Sequence, residues 1–124
     1  ASARGGLNAK KIVAQAIKQA DDPRLIVLER YTPWKKTVHS LSDEALFVVY
    51  PSHSGKWIVQ TVPAELGSFE DRKSLPAPWA GLSDDEFQAV TGIDDAMFCH
   101  NGLFIAGAES FDSIMSLAAM ALEY

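Results

Sequence analysis

The chain has 124 residues, a formal net charge of −5 and 48% hydrophobic residues, a composition that suits one domain with a real core. No apolar run approaches the ~18 to 20 residues of a membrane span, and the opening residues, "ASARGGLNAKK", lack the apolar centre of a signal peptide. A lone Cys99 forms no internal disulfide, argues against a thiolate zinc site, and fits a reducing cytoplasm.

Charge is unevenly spread. Residues 1–40 carry eight Lys or Arg against three Asp or Glu, and the remainder carries three against thirteen. The acidic total argues against a strong free-standing nucleic-acid binder, because phosphate affinity needs clustered positive charge. The basic third is either solvated surface or a face turned toward a phosphate-bearing ligand or a neighbouring domain.

In chain order, residues 8–20 place Ile12, Val13, Ala16, Ile17 and Ala20 on one helical stripe, with Asn8 as N-cap and Asp21-Asp22-Pro23 as the stop. Residues 24–29, "RLIVLE", read as a short strand, and Pro33 opens a brief helical turn through Ser40. The runs "EALFVVYP" (44–51) and "KWIVQTVP" (56–63), joined by Ser52-His53-Ser54-Gly55, predict a hairpin. Trp57, Val59 and Thr61 then share one face and Ile58, Gln60 and Val62 the other. The first of these strands is apolar on both faces, as in the middle of a sheet.

Residues 64–82 hold Pro76, Pro78, Gly67 and Gly81, which forbid a long element. Yet Phe69, Leu75, Trp79 and Leu82 are apolar enough to fold the loop onto the body. A helix follows, with Ser83 and Glu86 as a capping box, Leu82 and Phe87 as a hydrophobic staple, and Gly92 as its end. In "FCHNGLFIAGAES" (98–110), Asn101-Gly102 predicts a two-residue type I′ turn that pairs His100 with Leu103, Cys99 with Phe104 and Phe98 with Ile105. Phe111, Ile114, Ala118 and Ala121 build a last amphipathic helix. The order α-β-(α)-β-β-loop-α-β-β-α describes one α/β (α+β) domain, a mixed, largely antiparallel sheet covered by helices.

No complete active site is visible. His39, His53 and His100 are far apart without metal-ligand spacing, and there is no Walker loop or G-x-S-x-G elbow. The candidates are binding residues, each with a plainer alternative. His100 is a donor to a phosphate or carboxylate, or a half-exposed hairpin histidine. Gly107 lets backbone N–H groups approach an anion before a helix start, or is a simple strand-to-helix turn. Arg72 clamps a phosphate, or pairs with Asp71 or Glu70. In "ERYTPWKK", Arg30, Lys35 and Lys36 surround Trp34, either for stacking and phosphate neutralisation or as solvated charges around a core anchor.

Several strings together, "YTPWKK", "FVVYP…GKWIVQTVP", "SFEDRKSLPAPWAGL" and "FCH…FIAG", resemble the C-terminal part of the melanocyte-proliferating-gene-product family, from about Ile26 to Leu122. The R-x-x-L-P-x-P-W-x-G-L string from Arg72 to Leu82 is its most specific element. That family has been labelled a metal-dependent protein hydrolase and is related to DHH-superfamily phosphoesterases, with characterised members described as 3′–5′ RNA exonucleases. The resemblance implies a DHH-associated-type fold spanning residues 1–124, with the metal ligands, for Mn or Mg, on an N-terminal domain that this chain does not contain. In that reading Arg72, His100 and Gly107 contact a phosphate of the nucleotide or RNA, and Trp34, Lys35 and Lys36 are further substrate-binding candidates. Its implied partners are that N-terminal domain and the substrate, with a homo-oligomer left open and no membrane. Where the family often has Gly-Gly after "FI", this chain has Ala106-Gly107. The alternative is a non-catalytic packing or dimerisation module.

Overall fold

The computed structural model describes the backbone of residues 2–124 and the side chains from Asn8 onward. Four helices and five strands run in the order α1 (Ser2–Gln19), β1 (Leu25–Val27), α2 (Lys35–Leu41), β2 (Phe47–Pro51), β3 (Trp57–Thr61), α3 (Asp84–Thr91), β4 (Ala96–Cys99), β5 (Ile105–Ala108) and α4 (Phe111–Glu123), with a 3₁₀ turn at Ala77–Trp79 before α3. The helix therefore begins ahead of Asn8, which lies within α1 and does not cap it.

The strands form one sheet in the order β1-β2-β3-β5-β4. Only β1 and β2 are parallel, as the intervening α2 crossover allows; the other pairs are antiparallel. The fold is thus α+β, with a mixed, mostly antiparallel sheet covered by helices. Strand alternation builds two cores. Phe47, Val49, Val59, Ala106 and Ala108 point to one face, where α3 and α4 add Phe87, Ile114 and Leu117. Ile26, Leu28, Val48, Tyr50 and Val62 point to the other, where α1 and α2 bring Val13 and Val38.

Three local expectations are corrected. The last hairpin pairs Cys99 with Ala106 and Phe98 with Gly107, and the His100 N–H donates to Ile105 O at 2.9 Å, so four residues, not two, form the loop. The cause lies in Leu103, which packs against the α3/α4 core while its carbonyl accepts from the Leu75 N–H. To do so it takes a left-handed backbone, φ 60°, in place of the expected Asn101-Gly102 geometry. Because the register moves by two residues, Phe98, Cys99, Ile105 and Ala106 keep their faces, whereas Leu103 in the loop turns to the α3/α4 core. Second, Ser83 precedes α3 with extended backbone but makes no side-chain capping bond. Its backbone is bridged to Phe98 of β4, and Asp84 stands at φ 46°, so the capping box does not close. Third, in residues 64–82, Leu75 and Trp79 are buried as expected, whereas Phe69 is 103% exposed. It rides a small ordered finger in which Ala64 N–H bonds Glu70 O and Pro63 bridges Asp71.

Candidate basic and aromatic site

The six candidate residues divide into those that hold the fold and those that reach solvent. The Arg72 Nη1 donates to two backbone carbonyls, Ser42 O at 2.7 Å and Ala45 O at 2.9 Å, both in the segment between α2 and β2. Its own N–H bonds Val62 O. The guanidinium therefore straps the loop root to the start of β2, and no Arg72 ion pair with Asp71 or Glu70 occurs among the described residues. Gly107 lies inside β5, between Ile58 of β3 and Phe98 of β4, and not in a turn before a helix. A Cβ at this position would sit 2.7 Å from the Phe98 ring, so the glycine is required for that ring to lie flat over β5. Trp34 is 2% exposed and belongs to the α1/α2 core.

His100 follows the end of β4, whereas Arg72 lies in the segment after β3, held to Val62 and to the Ser42 and Ala45 carbonyls before β2. Nη1 of Arg72 is taken up by these two carbonyls. His100 is exposed. Its Nδ1 accepts from the Gly102 N–H at 2.9 Å, which leaves the proton of the neutral ring on Nε2 as an outward donor, and its ring lies 4.6 Å from that of Phe104.

Lys35 and Lys36 do converge with other groups. A recess of about 630 Å³ is lined by Lys10 of α1, Tyr31, Pro33 and Trp34 before α2, Lys35 and Lys36 at its start, and Gln60 of β3. Pro33 and buried Trp34 fix the start of α2, and the two lysines follow on its first turn. No carboxylate lines the recess, and none of the three lysines forms an ion pair among the described residues. The aromatic surface offered here is Tyr31, 56% exposed, packed edge-on against Tyr50 with ring centroids 5.1 Å apart. The Tyr50 hydroxyl donates to Gln60 Oε1 at 2.7 Å, which turns the amide Nε2 of Gln60 into a free donor at the recess. Burial, with Tyr31 adding to it, pushes the Tyr50 phenol up to about 12, so it remains a proton donor through the physiological range. Nearby, Asp71 is half-buried: desolvation raises its carboxyl, partly offset by the Thr61 hydroxyl and the charge of Lys35.

Tyr31, Gln60 and Lys10 were not singled out by sequence reading. The alternation of β3 puts Gln60 on the face with Ile58 and Val62, and a glutamine between two apolar neighbours is the signal that marks it. Nothing in "ERYTPWKK" tells which aromatic is buried. Arg30 was grouped with Trp34, but it lines a different recess of about 700 Å³, between α1 and the end of β1. Cys99 is buried, which pushes its thiol up to about 11 and leaves it unreactive.

Among the described residues no group of three or more His, Cys, Asp or Glu converges as a metal site, and no helix is long and apolar enough to cross a membrane. Fold and recess together define an α+β domain that presents a basic, aromatic-edged hollow and lacks a metal-ligand set among those residues. The chain belongs to the MYG1 family, described as an uncharacterised protein family (UPF0160), which it matches over residues 2–122. It is 38% identical to the MYG1 protein YER156C of Saccharomyces cerevisiae over 126 residues, covering 94% of this chain and 37% of that protein. It is 33% identical to the MYG1 exonuclease of Homo sapiens over 127 residues, covering 94% and 34%. To the MYG1 protein of Chlamydia trachomatis it is 34% identical over 109 residues, covering 83% and 37%. The chain thus spans little more than a third of these relatives. No solved structure matches it.

Proposed function

We propose that this chain is the substrate-contacting C-terminal domain of a metal-dependent phosphoesterase or 3′–5′ exonuclease of DHH type, not catalytic on its own. The divalent metal, Mn or Mg, and its ligands belong to an N-terminal domain of the same protein, which is its principal partner; among the described residues no group of His, Cys, Asp or Glu converges to hold one. A cytoplasmic location is part of the proposal, supported by the single unpaired cysteine. One observation carries the reading: Lys10, Lys35 and Lys36 ring an exposed tyrosine, without carboxylate neighbours in the recess, in a chain of net charge −5. Lysines left unpaired in an acidic protein suit phosphate oxygens, and an open phenol ring suits a base. In this arrangement Lys35 and Lys36 touch the phosphates and His100 offers Nε2–H further along the face. Trp34, Arg72 and Gly107 act through the backbone they hold.

A packing or dimerisation module is the second reading. It is favoured by the structural engagement of Arg72 and Gly107. The two separate on salt dependence. Binding of short single-stranded RNA to the chain should weaken with rising salt, and Lys35→Ala/Lys36→Ala should flatten the log–log slope by about 1.4, the value for two phosphate contacts on a single strand. An unchanged slope would reject the phosphate site.

A further inference from the structure

The sheet face beneath α1 and α2 is only partly roofed. The helices close over β1 and β2, where Ile26 and Val48 have no exposure, but over β3, β5 and β4 the side chains Ile58, Ile105 and Phe98 remain half-buried. At the end of this strip the ring of Phe104, 37% exposed, lies 4.6 Å from that of the exposed His100, tilted to it by 53°. Gly107 leaves room for Phe98 to lie against β5, so the strip is low and flat where a larger residue would raise it.

This strip is continuous with the lysine recess. Gln60 lines the recess and pairs directly with Ile105 in the β3/β5 ladder, and Ile105 in turn accepts from the His100 N–H. A path of two strand spacings, about 10 Å, therefore leads from the cationic hollow to the His100–Phe104 pair. A solvent-facing aromatic pair beside unpaired lysines matches a polyanion whose repeating units carry flat rings. It does not match an inorganic anion, which has no ring, or an apolar peptide, which has no use for the lysines.

We propose that the open β3-β5-β4 strip is a base-stacking platform for single-stranded nucleic acid: a nucleobase lies on the His100–Phe104 pair while the phosphates of the same strand sit at Lys35 and Lys36. This rests on the phosphate reading above and adds to it where the bases go. Stacking is sequence-tolerant, because every base has a π-face, so the platform accepts any sequence but demands an unpaired strand. Its side chains are replaceable without harm to the fold, since Phe104 holds β3 through its backbone carbonyl, which accepts from the Thr61 N–H.

The test compares two strands of equal phosphate number, a short single-stranded RNA and the same backbone with abasic sugars, binding to the 124-residue chain by fluorescence anisotropy. The expected result is tighter binding of the base-bearing strand. Phe104→Ala should weaken that strand roughly tenfold, within the range measured for stacked bases, and leave the abasic strand unaffected. His100→Ala should weaken the base-bearing strand more than the abasic one, and Lys35→Ala/Lys36→Ala should weaken both strands alike. Equal affinity of the wild type for the two strands, or a Phe104→Ala loss common to both, would overturn the platform while leaving the phosphate site standing. Lysine variants that change neither strand would overturn the phosphate site itself.

Discussion

The two faces of the sheet are finished to different standards. Under α3 and α4 the row Phe47, Val49, Val59 and Ala106 is sealed completely, and the helices add Phe87, Ile114 and Leu117 without exposure. Under α1 and α2 the seal stops at β2, and Tyr31, Phe104 and His100 stand in solvent beside unpaired lysines. The difference separates a sealed face from one that is half-open, and the proposed recognition site lies on the latter.

Disrupting the sealed face should have the largest effect. Trp79 is 4% exposed, stands in the 3₁₀ turn, and packs edge-on against Phe87 with centroids 5.4 Å apart. Trp79→Ala should cost about 3–5 kcal/mol of unfolding free energy, read from urea denaturation. A shift of under about 1 kcal/mol would show that the proline-rich loop is not anchored there.

Much of this face was legible in the sequence, because it is written in periodicity. The Ile114, Ala118, Ala121 stripe, the alternation of β3, and Gly92 with its left-handed φ of 73° all follow from local rules. The open face was less legible, because its features depend on which of two competing neighbours wins. Asn101-Gly102 asks for a tight turn, but the burial of Leu103 outweighs that request and lengthens the loop. Trp34 and Tyr31 are three residues apart in one short string, and only the docking of α2 decides that the indole goes in and the phenol stays out. Arg72 was identified as a distinctive cation, yet the carbonyls it serves lie 27 and 30 residues upstream in the chain and have no sequence signal.

A medium effect should come from filling the hollow of the open strip. Gly107→Ala places a methyl 2.7 Å from the Phe98 ring and 3.3 Å from Ile58 Cδ1, and should destabilise by about 1–3 kcal/mol. Because the clash is with a side chain, combining it with Phe98→Leu should cost clearly less than the sum of the two single changes. Strict additivity in that cycle would mean the glycine serves the backbone and not the ring.

The smallest effect lies at the boundary between the faces, at Tyr50. Its phenol ionises near 12 in the fold against 10.0 when free. Between those values the unfolded chain binds fewer protons than the folded one, so stability falls as pH rises through that window. Tyr50→Phe should show a shallower decline in urea midpoint between pH ~9 and ~11 than the wild type. Parallel declines would show that burial does not hold the Tyr50 phenol protonated.

The contrast between the faces is tested most directly by amide chemical-shift mapping of the 124-residue chain titrated with short single-stranded RNA. The shifts should concentrate at Tyr31, Lys35, Lys36, Gln60, Ile105 and the His100–Phe104 loop, while Phe87, Ile114 and Leu117 stay fixed. Shifts centred on α3 and α4, or no shifts at all, would contradict the assignment of the open face to recognition.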